Sequence, residues 1–287
     1  MLLRACSLLL LAAGVSASAQ TYAISLDRSV LPGQTYDLSG DGSSRQITSV
    51  GDRTLKSQEF QVSFRGQTKV QEIDKNGEAI RAELTVVKLT KTAAGGTVEL
   101  LKPGTVVIAD SRQTPSLTLK DGLLEEATQA ALRLVYSIHT PDSATDDQIF
   151  GTKKLHAIGE TWPVNTILAA EDFGRNSGLS LTPQQLNGNV TLVGIGRIGS
   201  LACAQVQGTI SGNGIYGPVT DAGAKIMRAE FEAELGGCFP LLASAQSYTE
   251  NYLLRIHLLI SAPGGMQMQS TVEVKSNTQR IARGEAQ

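Results

Sequence analysis

The sequence predicts a mainly β protein, built of antiparallel sheets in a half-barrel or sandwich-like arrangement, with one central α-helix. Three observations carry this prediction. Apolar and polar residues alternate with period two along most of the chain, glycine-containing turns separate the alternating segments, and one segment instead follows the period of a helix. Period-two alternation gives a strand one buried face and one wet face, which is typical of antiparallel sheets.

The strand pattern is clearest in four segments, whose apolar faces lie within residues 60–64, 80–86, 229–235 and 254–260. Asn76-Gly77 stands between two alternating segments and predicts a type I′ hairpin, because that turn needs residues that tolerate positive φ. Pro263-Gly264-Gly265 predicts the turn between the last two strands in the same way.

The segment Leu123–Tyr136 predicts the helix, because good helix formers occupy all of it. Asp121 is the expected N-cap, and the polar stretch His139–Asp147 that follows predicts a loop or linker. The apolar residues recur at helical spacing and predict one buried face. This face consists of Leu124, Ala127, Ala131, Leu134 and Val135.

These elements divide the chain into a first β half (20–122), a helix with a polar linker (123–148), a second β half (149–280) and a tail (281–287). Each half opens on a similar tetrapeptide, Gly33-Gln34-Thr35-Tyr36 in the first and Gly159-Glu160-Thr161-Trp162 in the second. Two interpretations stay open. The halves are a duplication that gives two similar half-sheets, or two unrelated strands begin alike, since such short matches are common in β proteins.

Residues 1–19 predict a cleaved secretory signal peptide. Arg4 gives a short positive region, a run of leucines follows it, and Ala17-Ser18-Ala19 is a small-x-small cleavage site. The apolar run is shorter than the roughly 20 residues that a membrane-spanning helix needs. We therefore expect a secreted or periplasmic protein with no transmembrane segment after cleavage.

Cys203 and Cys238 are the cysteines that lie beyond residue 19, and in an oxidising compartment they predict a disulfide bond. Two buried thiols on different strands are the alternative. Cleavage would also remove Arg4 and so shift the formal net charge from −2 to −3. A weakly acidic chain without basic clusters argues against nucleic acid as a partner.

The motif Gly194-Ile195-Gly196-Arg197-Ile198-Gly199 matches the letters of the dinucleotide-binding fingerprint. That fingerprint needs a helix to begin at the glycines, so that its N-terminus holds the pyrophosphate. The residues that follow alternate as a strand instead. We therefore expect a glycine-rich turn or bulge here, and no cofactor.

No other motif predicts catalysis or a metal site. His139, His156 and His257 do not have the spacing of a zinc motif, and no G-x-S-x-G elbow occurs. The aspartates 142, 146 and 147 lack the ligand order of a calcium loop and predict a solvated acidic loop. A hydrolase would need a residue such as His139, His156 or Asp142 beside a serine, so we expect a protein that is not an enzyme.

Two β half-sheets with a helix between them resemble the architecture of bacterial lipoprotein carriers, in which a half-barrel covered by helices holds acyl chains. The paired openings at Gly33 and Gly159 also resemble bacterial envelope proteins with a β-repeat organisation. The resemblance implies a non-catalytic binding protein for an apolar, lipid-like small molecule. The face formed by Leu124, Ala127, Ala131 and Leu134 would then cover the concave sheet.

Two alternatives stay open beside the carrier hypothesis. The helix face could complete a packed core, with no space left for a ligand. The protein could also be a structural or protein-interaction module of the bacterial cell envelope, whose exposed edge strands accept an envelope protein.

Overall fold

The computed structural model describes residues 20–177, 180–217 and 223–283, so the predicted signal peptide lies outside the described residues. Within these ranges, the mainly antiparallel β class is confirmed, and a single open sheet contains twelve strands.

The strands are, in chain order, β1 (Thr21–Tyr22), β2 (Thr35–Val50), β3 (Arg53–Ile73), β4 (Ala79–Ala93), β5 (Gly96–Leu101), β6 (Val106–Asp110), β7 (Ser116–Leu119), β8 (His156–Ala157), β9 (Thr161–Pro163), β10 (Leu186–Ile198), β11 (Leu201–Ile215), β12 (Lys225–Pro240), β13 (Tyr248–Ser261) and β14 (Gln267–Ala282). The helices are α1 (Glu126–Arg133), α2 (Asp146–Ile149) and α3 (Thr166–Ser177). The last strand runs two residues beyond the predicted boundary at 280.

The large sheet has the strand order β7-β6-β4-β3-β2-β14-β13-β12-β11-β10-β9, with β5 paired beside β4. Its centre is the long antiparallel pair of β2 and β14, in which Tyr36 lies opposite Ala282 and Ser49 lies opposite Gln269. This pairing joins the first and second halves of the chain in one continuous sheet. Strands β1 and β8 form a separate two-stranded sheet.

Both predicted hairpins are present, but the predicted type I′ turn at Asn76-Gly77 is wrong. At Asn76-Gly77 the chain forms a three-residue loop closed by a hydrogen bond of 2.9 Å from the Asp74 N–H to the Glu78 carbonyl. Only the glycine has positive φ, +84°, whereas a type I′ turn would need two such residues. At Pro263-Gly264-Gly265 both glycines have positive φ.

The fingerprint-like glycines form a bulge and a turn, as expected. The register of β10 against β11 shifts between Leu192 and Gly194, and Gly199 has a φ of +57° at the turn between the two strands. A strand rather than a helix follows the motif. The backbone therefore lacks the helix N-terminus that a pyrophosphate would need.

The predicted helix is shorter than its sequence pattern, and two further helices are present. α1 begins at Glu126, with Glu125 rather than Asp121 at the N-cap position. The sequence pattern did not predict α2 or α3. A short helix depends on packing for its stability, and the buried Ala169 and Ala170 of α3 supply that packing. Among the described residues, no helix is long and apolar enough to cross a membrane.

Most of the core lies in two large apolar clusters, packed between the sheet and the helices. The α1 cluster contains Phe64 and Leu132, which are almost completely buried. The α3 cluster contains Trp162 and Phe231, and Phe173 of α3 stacks on Phe231 with 4.5 Å between ring centroids. The α1 cluster includes Leu38 of β2, and Leu254 of β13 packs against the α3 cluster, so the two clusters meet near the central strand β14.

The paired tetrapeptides adopt the same backbone geometry. Gly33 has a φ of +86° and its N–H donates to the carbonyl of Val70 on β3, at 2.8 Å. Gly159 has a φ of +90° and its N–H donates to the carbonyl of Leu192 on β10, at 2.7 Å. The sequence match therefore corresponds to a repeated turn at the start of a strand.

The side chain after each glycine has the same role. Gln34 accepts a hydrogen bond of 3.0 Å from the N–H of Leu31, three residues earlier. Glu160 accepts one of 2.9 Å from the N–H of Ala157, again three residues earlier. A side-chain oxygen at this position closes the turn, which explains why both halves have glutamine or glutamate there.

The predicted disulfide between Cys203 and Cys238 is present, with the two Cα atoms 5.4 Å apart. It joins β11 to β12, and Ile198 packs against it in a small cluster of its own. Cys203 is fully buried, so the bond lies inside the fold.

Candidate functional site

A cavity of about 460 Å³ lies between the two apolar clusters, and we call it the seam cavity. The central strands β2, β14 and β13 form its floor. Its walls are the segment after α1 (residues 134–139), the N-terminal segment at residues 27–30 and residues 144–146, where α2 begins. Both halves of the chain therefore contribute to this cavity.

Two glycines of β2 allow the segment after α1 to lie close to the sheet. A Cβ atom on Gly42 would lie 2.8 Å from the Cβ of Leu134, and one on Gly40 would lie 3.4 Å from the Cβ of Val135. Leu134 and Val135 both line the seam cavity. The small residues on β2 thus set the position of one cavity wall.

The N-terminal segment connects both clusters across the cavity. Leu26 is buried in the α3 cluster and Val30 in the α1 cluster. Asp147 of α2 accepts hydrogen bonds from Ser25 and from the Leu26 N–H, and its own N–H donates to Asp27 at 3.0 Å. This segment is consequently held to α2 by paired hydrogen bonds rather than by apolar contact alone.

Four carboxyl groups line the seam cavity, and we call them the cavity carboxyls: Asp27, Glu78, Asp146 and Glu250. Burial raises the pKa of Glu78 to about 7, that of Asp146 to about 6 and that of Glu250 to about 8. Burial also raises the pKa of Asp27. Repulsion from other cavity carboxyls adds to the shifts of Glu78, Asp146 and Glu250, whereas Asp147 repels Asp27.

Two arginines, Arg133 and Arg280, line the same cavity, and Arg133 is exposed. Arg280 on β14 is only 9% exposed, and its Cζ lies 3.7 Å from the centroid of the Tyr36 ring and 5.6 Å from that of Tyr248. Its Nε and Nη2 atoms have no hydrogen-bond partner among the described residues. The two rings hold the guanidinium in place through its face, which leaves those N–H groups at its edge.

Apolar side chains complete the lining. Val30, Leu38 and Val274 lie on the floor and one wall, and Leu134 and Ile138 lie opposite. The cavity is therefore amphipathic, with carboxyl and guanidinium groups set among aliphatic and aromatic surface. Such a combination can bind a molecule that has both an apolar part and a charged group.

Only part of the helix face that was predicted to cover the sheet is buried or lines the cavity. Leu124 and Ala131 are buried in the α1 cluster, and Leu134 lines the seam cavity. Ala127 is exposed, which corrects the prediction at that position, and Thr128 is buried in its place. Because α1 begins at Glu126, Leu124 precedes the helix, and the helical spacing counted from it does not apply.

The histidines and the acidic loop lie in different places. His156 Nε2 is 3.0 Å from Thr152 Oγ1 and its Nδ1 is 3.2 Å from Glu160 Oε2. These contacts link three residues of the segment that precedes β9, and His156 does not line the seam cavity. His139 lines the cavity, and its Nε2 is 3.7 Å from Asp74.

His257 is exposed on β13, with its Nδ1 3.2 Å from Thr271 Oγ1. Of the predicted acidic loop, Asp142 and Asp146 are both exposed, and Asp146 also lines the rim of the seam cavity. Among the described residues, no group of three or more histidine, cysteine, aspartate or glutamate side chains is arranged to hold a metal ion.

Sequence reasoning did not identify the cavity carboxyls or Arg280 as a set. One signal was available for two of them. Glu250 shares its strand face with Tyr248, Tyr252 and Leu254, and Arg280 shares its face with Val274. A charged residue in phase with apolar neighbours on a strand indicates either a pairing partner or a site.

Comparison with known proteins identifies no family for this chain. No protein-family model matches it, and no curated protein matches it. Among solved structures, lipovitellin, from a study of lipid–protein interactions, matches 88% of this chain at 10% identity with a TM-score of 0.35. This chain spans only a quarter of the lipovitellin chain, 25%.

Two further structures are similar to a lower degree. P47 from Clostridium botulinum A2 matches 87% of this chain and 82% of its own, at 10% identity and a TM-score of 0.17. The outer membrane protein OmpT of Vibrio cholerae matches 87% of this chain and 100% of its own, at 9% identity and a TM-score of 0.18. These values show a loose likeness among β folds and nothing about activity.

Proposed function

We propose that this protein is a secreted or periplasmic, non-catalytic binding protein that holds a small amphipathic molecule in the seam cavity. The observation that carries the proposal is the cavity itself. At about 460 Å³ it has the size of a small-molecule site. A packed core of this sheet would have filled the same space with apolar side chains.

The lining supports an amphipathic rather than a purely apolar ligand. Leu38 and Val274 offer apolar surface for a hydrocarbon portion, and Glu250 and Arg280 offer charge beside it. Charged groups are expensive to bury without partners, and a bound molecule would supply those partners. The carrier hypothesis drawn from the sequence is thereby kept, with a polar head added to the lipid-like ligand.

Native mass spectrometry of the protein, purified from a bacterial periplasm without detergent, tests this proposal. We expect a bound mass that disappears on denaturation. Ser276→Trp places a large side chain on the cavity floor and should abolish that mass. Asn277→Trp is the matched control, because Asn277 is the next residue of β14 and is exposed. A wild-type protein without bound mass, or equal occupancy in both variants, would contradict the proposal.

An interaction module of the cell envelope is the second candidate. Strand β10 runs over Leu186–Ile198 but pairs with β9 only from Asn189 to Thr191. Val193, in the part beyond β9, is 47% exposed. Such an edge could accept a strand from an envelope protein. Val193→Pro should then abolish binding of that partner in a pull-down assay, without changing the seam cavity.

A further inference from the structure

We propose that the seam cavity recognises a zwitterionic group, in which a protonated amine lies near an anionic phosphate or carboxylate. This inference rests on the proposed binding function and names the chemistry of the ligand. Two features of the cavity wall point to it: a set of carboxyls that form no ion pair with another described residue, and a buried guanidinium two of whose nitrogen atoms, Nε and Nη2, have no acceptor among the described residues.

The cavity carboxyls point to the amine. The ion pairs between described residues all use other carboxylates. Asp27 does accept the Asp147 N–H at 3.0 Å, but a backbone amide does not neutralise its charge. Asp146 and Glu250 repel each other across the cavity. An ammonium group bound beside them in the cavity would offset this repulsion and could donate a hydrogen bond to a carboxylate.

Arg280 points to the anion. The side chain is nine-tenths buried and lines the cavity, yet its Nε and Nη2 atoms have no partner among the described residues. The Tyr36 ring covers one face of the guanidinium, and the Nε and Nη2 N–H groups point outwards in the plane of the guanidinium. Two parallel N–H groups at the edge of a guanidinium match the oxygens of a phosphate or carboxylate.

The spacing of these groups suits one small ligand. Arg280 pairs directly with Tyr248, and Glu250 pairs with Thr278 on the same two strands. Glu250 and Arg280 are therefore diagonal neighbours on one face of the sheet, with Cα atoms about 7–8 Å apart. A molecule whose amine nitrogen lies about four or five bonds from its phosphorus or carboxylate carbon can reach both groups. The nearby Leu38 and Val274 leave apolar surface for the remainder of the molecule.

Isothermal titration calorimetry with three probes at pH 8.5 tests the inference. The probes are phosphoethanolamine, which carries both charges, ethanolamine, which carries only the amine, and methyl phosphate, which carries only the anion. We expect phosphoethanolamine to bind at least ten times more tightly than either of the others. Equal affinities for all three, or no binding of phosphoethanolamine, would overturn the inference.

Variants assign each charge. Glu250→Gln should weaken phosphoethanolamine and ethanolamine at least tenfold and leave methyl phosphate unchanged. Glu232→Gln is the control, because Glu232 is an exposed carboxylate on the neighbouring strand β12. Arg280→Lys keeps a positive charge but loses the planar edge, and should weaken phosphoethanolamine and methyl phosphate. Unchanged phosphoethanolamine binding in Glu250→Gln would refute the assigned role of the carboxyls even if the arginine variant does not fold.

Two sources could supply this zwitterion, a lipid headgroup or a free amino acid or peptide. Tighter binding of dihexanoyl phosphatidylethanolamine than of phosphoethanolamine would identify the lipid. Preference for the dipeptide Ala-Leu would identify the peptide-like ligand. If mass spectrometry instead finds an uncharged molecule that Ser276→Trp excludes, the binding function stands and the zwitterion inference fails.

Discussion

Loss of the Cys203–Cys238 disulfide should lower the free energy of unfolding by about 3–4 kcal/mol. The two cysteines are 35 residues apart in sequence, and the loop-entropy relation for a loop of that length gives about 3.8 kcal/mol at 25 °C. For a chain of this size each kcal/mol corresponds to roughly 2–4 °C, so we expect Tm to fall by roughly 8–15 °C.

Differential scanning calorimetry of residues 20–287 with and without a phosphine reductant measures this shift. These residues contain no cysteine other than the bonded pair. The double variant Cys203→Ala/Cys238→Ala provides a comparison, because its Tm should match that of the reduced protein apart from the small loss of packing at the buried Cys203. An unchanged Tm in a sample whose mass shows complete reduction would refute the chain-entropy argument.

Three further predictions concern the cavity and its walls. The pKa values of Glu78, Asp146 and Glu250 are higher in the folded protein than their ordinary values of 3.8 or 4.5, so the folded state binds protons more tightly than the unfolded state. The contribution of these carboxyls to the free energy of unfolding should therefore be largest below about pH 4 and should be lost as pH rises through about 6 to about 8. Urea unfolding at a series of pH values measures this loss. Glu250→Gln should flatten the upper end of that pH profile, and an unaltered profile would contradict the shift. Gly42→Ala should cost about 1–3 kcal/mol in urea unfolding by pushing the wall segment off β2, whereas Gly95→Ala, which meets nothing within 4 Å, should be neutral. Ala131→Asp should unfold or strongly destabilise the protein in thermal melts, because Ala131 is buried. Ala127→Asp should change the free energy of unfolding by less than about 0.5 kcal/mol, because Ala127 is exposed. Equal effects of the two variants would contradict this assignment of the buried face of α1.

The local features were predictable because their causes are local. The hairpin at Asn76-Gly77 depends on a residue that tolerates positive φ, and the bulge at Gly194 depends on glycines within a strand pattern. The disulfide followed from having two cysteines outside the predicted leader. The extent of α1 was predicted less well, since the residues from Leu123 to Glu125 favour a helix but do not adopt one.

The candidate site was not predictable in the same way. Asp27 and Glu250 are far apart in the sequence, and they line one cavity only because β2 pairs with the last strand, β14. Asp146 was expected in a solvated loop; it is exposed, but it is the first residue of α2 and also lines the cavity. Helix α3 was not identified because its 12 residues include a glycine and few strong helix signals, and packing on the second cluster stabilises it.

The sequence by itself therefore determined the mainly antiparallel β class, the alternating faces of the strands, the repeated Gly-x-Thr-aromatic turn and the cysteine pair. Each of these is encoded by residues a few positions apart or by a simple period. Only the tertiary structure decided that the two halves meet along β2 and β14 and leave a charged cavity between two apolar clusters. Strand order and long-range contacts set that cavity, and no local preference specifies which distant strands become neighbours.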